Sequence, residues 1–174
     1  MAVSVGVMLT VHYLDHKKGE VKLTKLSDEV YLTSQVQPSS ALHLRRKGMR
    51  TIVAIRPDGE APDQPSSTEI QTAAHDSRMT FHYVPVPHDT IPEEAVESLN
   101  ESLLNDPKPV VLYCRTGRRA VRLFALTESM RRDGPTLDAI LEMVKSAGFS
   151  ADDLKEDLES RISQRIPSMK PSQP

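Results

Sequence analysis

The chain has 174 residues with 22 basic and 24 acidic side chains, a net charge of −2, enough length for one domain with a hydrophobic core and no basic field to hold nucleic acid as its main partner. A single cysteine excludes an internal disulfide, and the paired-cysteine spacing of zinc sites is absent, so a reducing, cytoplasmic setting is expected. Met1 to Val11 is apolar but too short to span a membrane and lacks the basic opening of a signal peptide, so no membrane partner is expected, and either Met1 or Met8 can serve as the start.

Residues 1–20 read as an N-terminal extension. Val21, Leu23 and Leu26 then lead into Glu29 to Thr33, a strand or hairpin whose Tyr31 and β-branched neighbours suit a pleated surface. Ser39 or Ser40 caps a short helix carrying Leu42 and Leu44, closed at Lys47-Gly48, and Arg50 to Ile55 follows as an apolar strand. At its end, Arg56-Pro-Asp-Gly-Glu60 and Ala61-Pro-Asp-Gln-Pro65 form a proline-rich, acidic loop that cannot be core. A serine at 66 or 67 with Glu69 beyond it opens the next helix, and Thr80 to Val86 returns as a strand ending in the loop Pro87-His88-Asp89-Thr90. Pro92 starts a helix with Glu93 and Glu94 in its first turn and Val96, Leu99 and Leu103 inward.

The chemistry is concentrated in the next unit. Val110 to Tyr113 is a β-branched, apolar run after Asp106-Pro-Lys-Pro109, and helical periodicity resumes near Arg118 or Arg119, so Cys114 stands at a strand-to-helix junction. Amides in such a turn and at a helix start face the loop, and together with Arg115, Arg118 and Arg119 they form an anion cradle that favours a thiolate. Gly117 supplies backbone freedom within the cradle. The plainer alternative is that Cys114 is a small hydrophobe ending a core strand. Beyond it, Thr136 caps a helix with Leu137, Ile140, Leu141 and Val144 on one stripe, stopped by Gly148, and Ser150 opens a last helix bearing Leu154, Leu158 and Ile162. The tail, 167–174, is expected to be disordered.

Repeated strand, loop and helix units predict a three-layer α/β domain over 21–166, with a mainly parallel central sheet and the loops after Ile55, Val86 and Tyr113 converging at one edge. In that arrangement Arg56, Asp58 and His88 frame the cysteine pocket, against the alternative of an ordinary Pro-Asp-Gly turn with solvated charges. His12, His16, His43, His75 and His82 are scattered without metal-ligand spacing.

Taken together, Arg56-Pro-Asp-Gly-Glu60 with Gln64-Pro65, the Tyr83-Val-Pro-Val86 strand and Tyr113-Cys-Arg-Thr-Gly-Arg-Arg119 resemble the bacterial phosphatase-like domain of β-lactamase-hydrolase-like proteins, an offshoot of the tyrosine and dual-specificity phosphatases. The likeness runs from about Leu26 to Met130. It implies a tyrosine-phosphatase-like (dual-specificity-like) fold with Cys114 as nucleophile, Arg119 as the anion-binding arginine and Asp89 as an acid on a separate loop. Arg115, Thr116, Gly117 and Arg118 would line the anion site, a small or phosphorylated molecule would be the substrate, and neither cofactor nor metal is called for.

The sequence departs from that pattern in three ways. Four residues rather than five separate Cys114 from Arg119, Tyr113 replaces the usual histidine, and Ala120 replaces the hydroxyl residue that follows the arginine. The short loop, Cys-Arg-x-Gly-x-Arg, also resembles that of rhodaneses, which implies a sulfurtransferase with a persulfide on Cys114. A third reading is a non-catalytic module that binds anions or phospho-ligands. Asp89 separates the first two, because an alkyl phosphate needs an acid for its leaving oxygen and a persulfide does not.

Overall fold

A computed structural model describes residues 21–165; the expected extension over 1–20 and tail over 167–174 lie outside the described residues. Five strands form one sheet: β1 (Thr24–Lys25), β2 (Val30–Thr33), β3 (Thr51–Ala54), β4 (Thr80–Tyr83) and β5 (Val110–Tyr113), in the order β1-β2-β5-β3-β4. Only β1 is antiparallel to its neighbour. β5 is central, with Val110 opposite Val30 on one side and opposite Thr51 on the other, and all four of its residues are buried.

Because side chains alternate across a strand, the apolar run of β5 supplies two cores. Val110, Leu112 and Cys114 face a layer built from α3 (Glu93–Asn105), α4 (Arg118–Met130), α5 (Leu137–Ser146) and α6 (Lys155–Ser163). Val111 and Tyr113 face a smaller core with α1 (Ala41–Arg46) and α2 (Ser67–Asp76). The fold is therefore a three-layer α/β fold with a mainly parallel sheet, as expected. Within the first layer α4 is buried along most of its length, including Phe124 at 1% exposure, so the helix that follows the cysteine is anchored by packing rather than by its ends. Among the described residues, no helix is long and apolar enough to cross a membrane.

Local chemistry explains the boundaries. Ser66 caps α2 through a full capping box with Glu69, and Thr136 caps α5 by accepting from the Ala139 amide. β4 ends at Tyr83, earlier than the expected Val86, although the Val84 and Val86 amides still donate to Ala54 and Ile55 at 2.9 and 3.0 Å. Pro85 and Pro87 alternate with those donors, and having no N–H they suit the open side of an edge strand. Pro92 is the N-cap of α3 rather than its first helical residue. After Ser150 the chain makes a 3₁₀ turn, Asp152–Leu154, before α6 starts at Lys155.

Candidate active site

Cys114 follows β5 directly and is 1% exposed, at the floor of a cavity of about 380 Å3. The chain then turns through Arg115 and Thr116 to Gly117, whose φ of +100° is a left-handed value that glycine adopts freely. That turn swings the Gly117 amide back to donate to Cys114 Sγ at 3.2 Å. The space beneath Gly117 is filled by Leu32, with Cδ2 3.2 Å from where a Cβ would stand. The loop is tied to the sheet at its start by the Gln35 amide, which donates to the Arg115 carbonyl at 3.2 Å. His88, Arg115, Thr116, Arg118, Arg119 and Arg122 complete the lining of the cavity.

Arg119, in the first turn of α4, is 8% exposed and held by three hydrogen bonds. Nη1 donates to Glu60 Oε1 at 2.6 Å and to the Val86 carbonyl at 2.8 Å, and Nη2 donates to Glu60 Oε2 at 2.8 Å. A guanidinium has five N–H donors, so Nε and the second Nη2 hydrogen remain, the parallel side-on pair that matches two oxygens of a phosphoryl group. Burial works against the charge of Arg119, but the Glu60 hydrogen bonds and the neighbouring Cys114 sulfur outweigh it and hold its pKa above the ordinary value.

Glu60 is the hub of the surrounding charges. Besides Arg119 it accepts from Arg56 Nε at 2.9 Å and lies 3.5 Å from His88 Nε2. Hydrogen bonding from Arg119, then from Arg56, overrides the cost of burial and pulls its carboxyl down to about 2. Arg56, 6% exposed, also donates to Gln35 Oε1 at 2.8 Å, so the loop after β3 and the loop after β2 share one clamp. Asp58 is set apart from the cavity: its carboxylate accepts from the Ser67 amide and hydroxyl at 2.7 and 2.6 Å, and its own amide donates to Tyr83 Oη.

The loops after β3, β4 and β5 thus bring together Glu60 with Arg56, the Val86 carbonyl with His88, and the cysteine loop. Asp89 is exposed and does not line the cavity. Tyr113 points into the opposite core, and burial, helped by the charge of Asp58, pushes its phenol above the ordinary range, so it offers no proton at neutral pH. Two contributors were not singled out from sequence. In the sequence Glu60 closes the Arg56-Pro-Asp-Gly-Glu60 loop that frames the pocket but carries no role of its own, its one further signal being the i, i+4 spacing from Arg56. Arg122 stands one turn beyond Arg118 on α4 and is pinned by Asp153 through two bonds of 2.6 Å. In a larger cavity of about 790 Å3 near α6, Arg161 pairs with both Glu93 and Asp157, and no cysteine lines it.

Comparison with known proteins identifies the family and the fold. A family model for the phosphatase-like domain of beta-lactamase hydrolase-like proteins matches residues 22–131. A beta-lactamase hydrolase-like protein of Xylella fastidiosa is 29% identical over 117 residues, which cover 65% of this chain and 27% of that protein, so the match spans about a quarter of the relative's length. Among solved structures, a candidate phosphatase from Neisseria meningitidis superimposes with a TM-score of 0.68 at 28% identity, covering 79% of this chain and 96% of that one. Tk-PTP in its active form has a TM-score of 0.60 at 16% identity, covering 83% and 97%, a likeness of fold.

Proposed function

The chain belongs to the family of the phosphatase-like domain of beta-lactamase hydrolase-like proteins, and from that premise we propose that residues 21–166 form a cysteine-dependent phosphatase, cleaving a phosphate monoester through a cysteinyl-phosphate intermediate. The observation that supports it most is the pairing at the cavity floor: Cys114 Sγ receives the Gly117 amide, and the Arg119 guanidinium, whose side-on donor pair is not used by Glu60 or Val86, bonds to the same sulfur.

In the first step the Cys114 thiolate attacks phosphorus, the S–P bond forms as the ester P–O bond breaks, and the leaving oxygen takes a proton from Asp89. Arg119 and the loop amides hold the non-bridging oxygens as their charge redistributes. Water then attacks phosphorus, gives its proton to the Asp89 carboxylate, and the S–P bond breaks to return the thiolate and release phosphate. Asp89 serves in this scheme only when the 87–92 loop folds over a bound substrate, since it stands outside the cavity otherwise.

The displacement of Asp89 from the cavity is also what a sulfurtransferase would tolerate, and the four-residue spacing from Cys114 to Arg119 suits a persulfide. One assay separates these readings. Purified protein is offered an aryl phosphate and, separately, thiosulfate with cyanide, in the presence of chelator and with Cys114→Ser as control. Phosphate release that needs Cys114 supports the phosphatase. Thiocyanate formation without phosphate release replaces it with the sulfurtransferase, and anion binding with no turnover of either kind leaves a binding module.

A further inference from the structure

The cavity over Cys114 is charged in a way that one phosphoryl group does not use up. Four of its lining residues are arginines, and among the described residues no carboxylate and no Phe, Tyr or Trp ring lines it. The charge is local, because the whole chain carries a net −2. Two of the four arginines are already neutralised: Arg119 by Glu60, and Arg122 by Asp153. Arg115 and Arg118 are exposed and make no ion pair with any described residue; Asp153 also feels Arg118, but its two oxygens are spent on Arg122.

These cations lie at two depths. Arg119, 8% exposed, belongs to the floor beside the sulfur, where its side-on donor pair and the Gly117 turn can take one phosphoryl group. Arg115 and Arg118 stand at the mouth, beyond reach of solvent exclusion but within the same cavity. A phosphotyrosine side chain would need an apolar slot for its ring, and the lining offers only the exposed imidazole of His88. The volume, about 380 Å3, is at the lower end of the roughly 300–1,000 Å3 typical of small-molecule sites.

On the reading that the site is a phosphatase, we propose that its substrate is a compact small molecule carrying a second anionic group besides the scissile phosphate, with the first held by Cys114 and Arg119 and the second by Arg115 and Arg118. Unpaired arginines at the rim of a cleft with low-dielectric walls concentrate polyanions and bind carboxylates and phosphates by two parallel donors.

The test uses Cys114→Ser protein, so that binding is read without turnover. Orthophosphate, pyrophosphate and tripolyphosphate are titrated calorimetrically at one fixed ionic strength, with orthophosphate competing against the longer anions. The Kd is expected to fall at least tenfold from orthophosphate to tripolyphosphate, and to fall threefold or less once Arg115→Gln and Arg118→Gln are combined. Arg46→Gln, an exposed arginine on α1, should leave the series unchanged. Both cavity arginines are exposed, so the double variant should fold, which its melting curve checks; Arg118→Glu gives a second route to the same loss. A flat series, a series that survives in the double variant, or longer anions that do not compete with orthophosphate would overturn the proposal. Wild-type protein is assayed in parallel with para-nitrophenyl phosphate: no hydrolysis there defeats the phosphatase reading by itself, and the anion series still reports on the second site.

Discussion

Glu60 occupies the end-on face of the Arg119 guanidinium, Nη1 on Oε1 at 2.6 Å and Nη2 on Oε2 at 2.8 Å, and so leaves the side-on face of that arginine for whatever Cys114 binds. The carboxylate reaches this position from a loop, Arg56 to Pro65, that carries three prolines and three acids, and is held in place by Arg56. Replacing Glu60 with Gln removes the charge while keeping one acceptor. We expect kcat/KM for an aryl phosphate to drop about ten- to hundredfold, the cost of one charge-assisted pair that orients the arginine, with the melting temperature only a few degrees lower. Steady-state kinetics beside a thermal melt check this, and an unchanged kcat/KM would mean that Val86 alone holds the arginine.

The same carboxylate sets an acid limit. Its folded pKa is depressed from 4.5 to about 2, so its contribution to stability is complete above 4.5 and is lost as pH falls toward 2. Denaturant melts of wild type and Glu60→Gln should therefore differ at pH 7 and converge between pH 4.5 and 2. A gap that stayed constant through that window would contradict the pairing.

Gly117→Ala should damage both stability and the site. Alanine at φ +100° is strained, and its Cβ would stand 3.2 Å from Leu32 Cδ2, so a loss of about 1–2 kcal/mol is expected together with a displaced amide over Cys114. Chemical denaturation measures the first effect. The second should appear as weaker orthophosphate binding, by calorimetry, even when the variant is fully folded.

Asp89→Asn distinguishes leaving groups. An alkyl oxygen leaves poorly without a proton whereas a nitrophenolate does not need one, so kcat for alkyl phosphates should fall about a hundredfold and for para-nitrophenyl phosphate less than threefold. Equal losses on both substrates would assign Asp89 to the loop's structure instead, and no loss on either would leave the proton to another group, the imidazole of His88 being the first to replace, since it lines the cavity.

Much of this architecture is legible without coordinates because the relevant signals are local. The β-branched run at Val110 to Tyr113, the serine and glutamate around α2, and the glycines after α1 and α5 each announce an element through short-range sterics or a cap. The junction at Cys114 is readable for the same reason: a change from strand to helix period with a glycine between. Glu60 is different. Its role depends on Arg119, which lies far along the chain, and nothing in a Pro-Asp-Gly-Glu turn tells a solvated carboxylate from one that is 14% exposed against two arginines. Asp89 is the converse case, where a motif likeness names the residue but the backbone after Pro87 turns its neighbour His88 to the cavity. Leu42 shows the limit of apolar pattern on a short helix, since Ala41 and Leu44 take the core and Leu42 is 49% exposed.

The place of β5 in the sheet has a consequence for how the chain comes together. β2 and β3 precede β5 in sequence but do not pair with each other; each waits for β5, which enters between them with Val110 beside both Val30 and Thr51. During synthesis the two earlier strands therefore carry open edges until the middle strand leaves the ribosome, and such long-range parallel pairing is slow to form. Closure of the sheet and delivery of Cys114 to its loop are one event. A nascent chain that has not yet closed has no formed cysteine loop, and fragments ending before Val110, which leave β2 and β3 without the strand that joins them, should aggregate through those open edges.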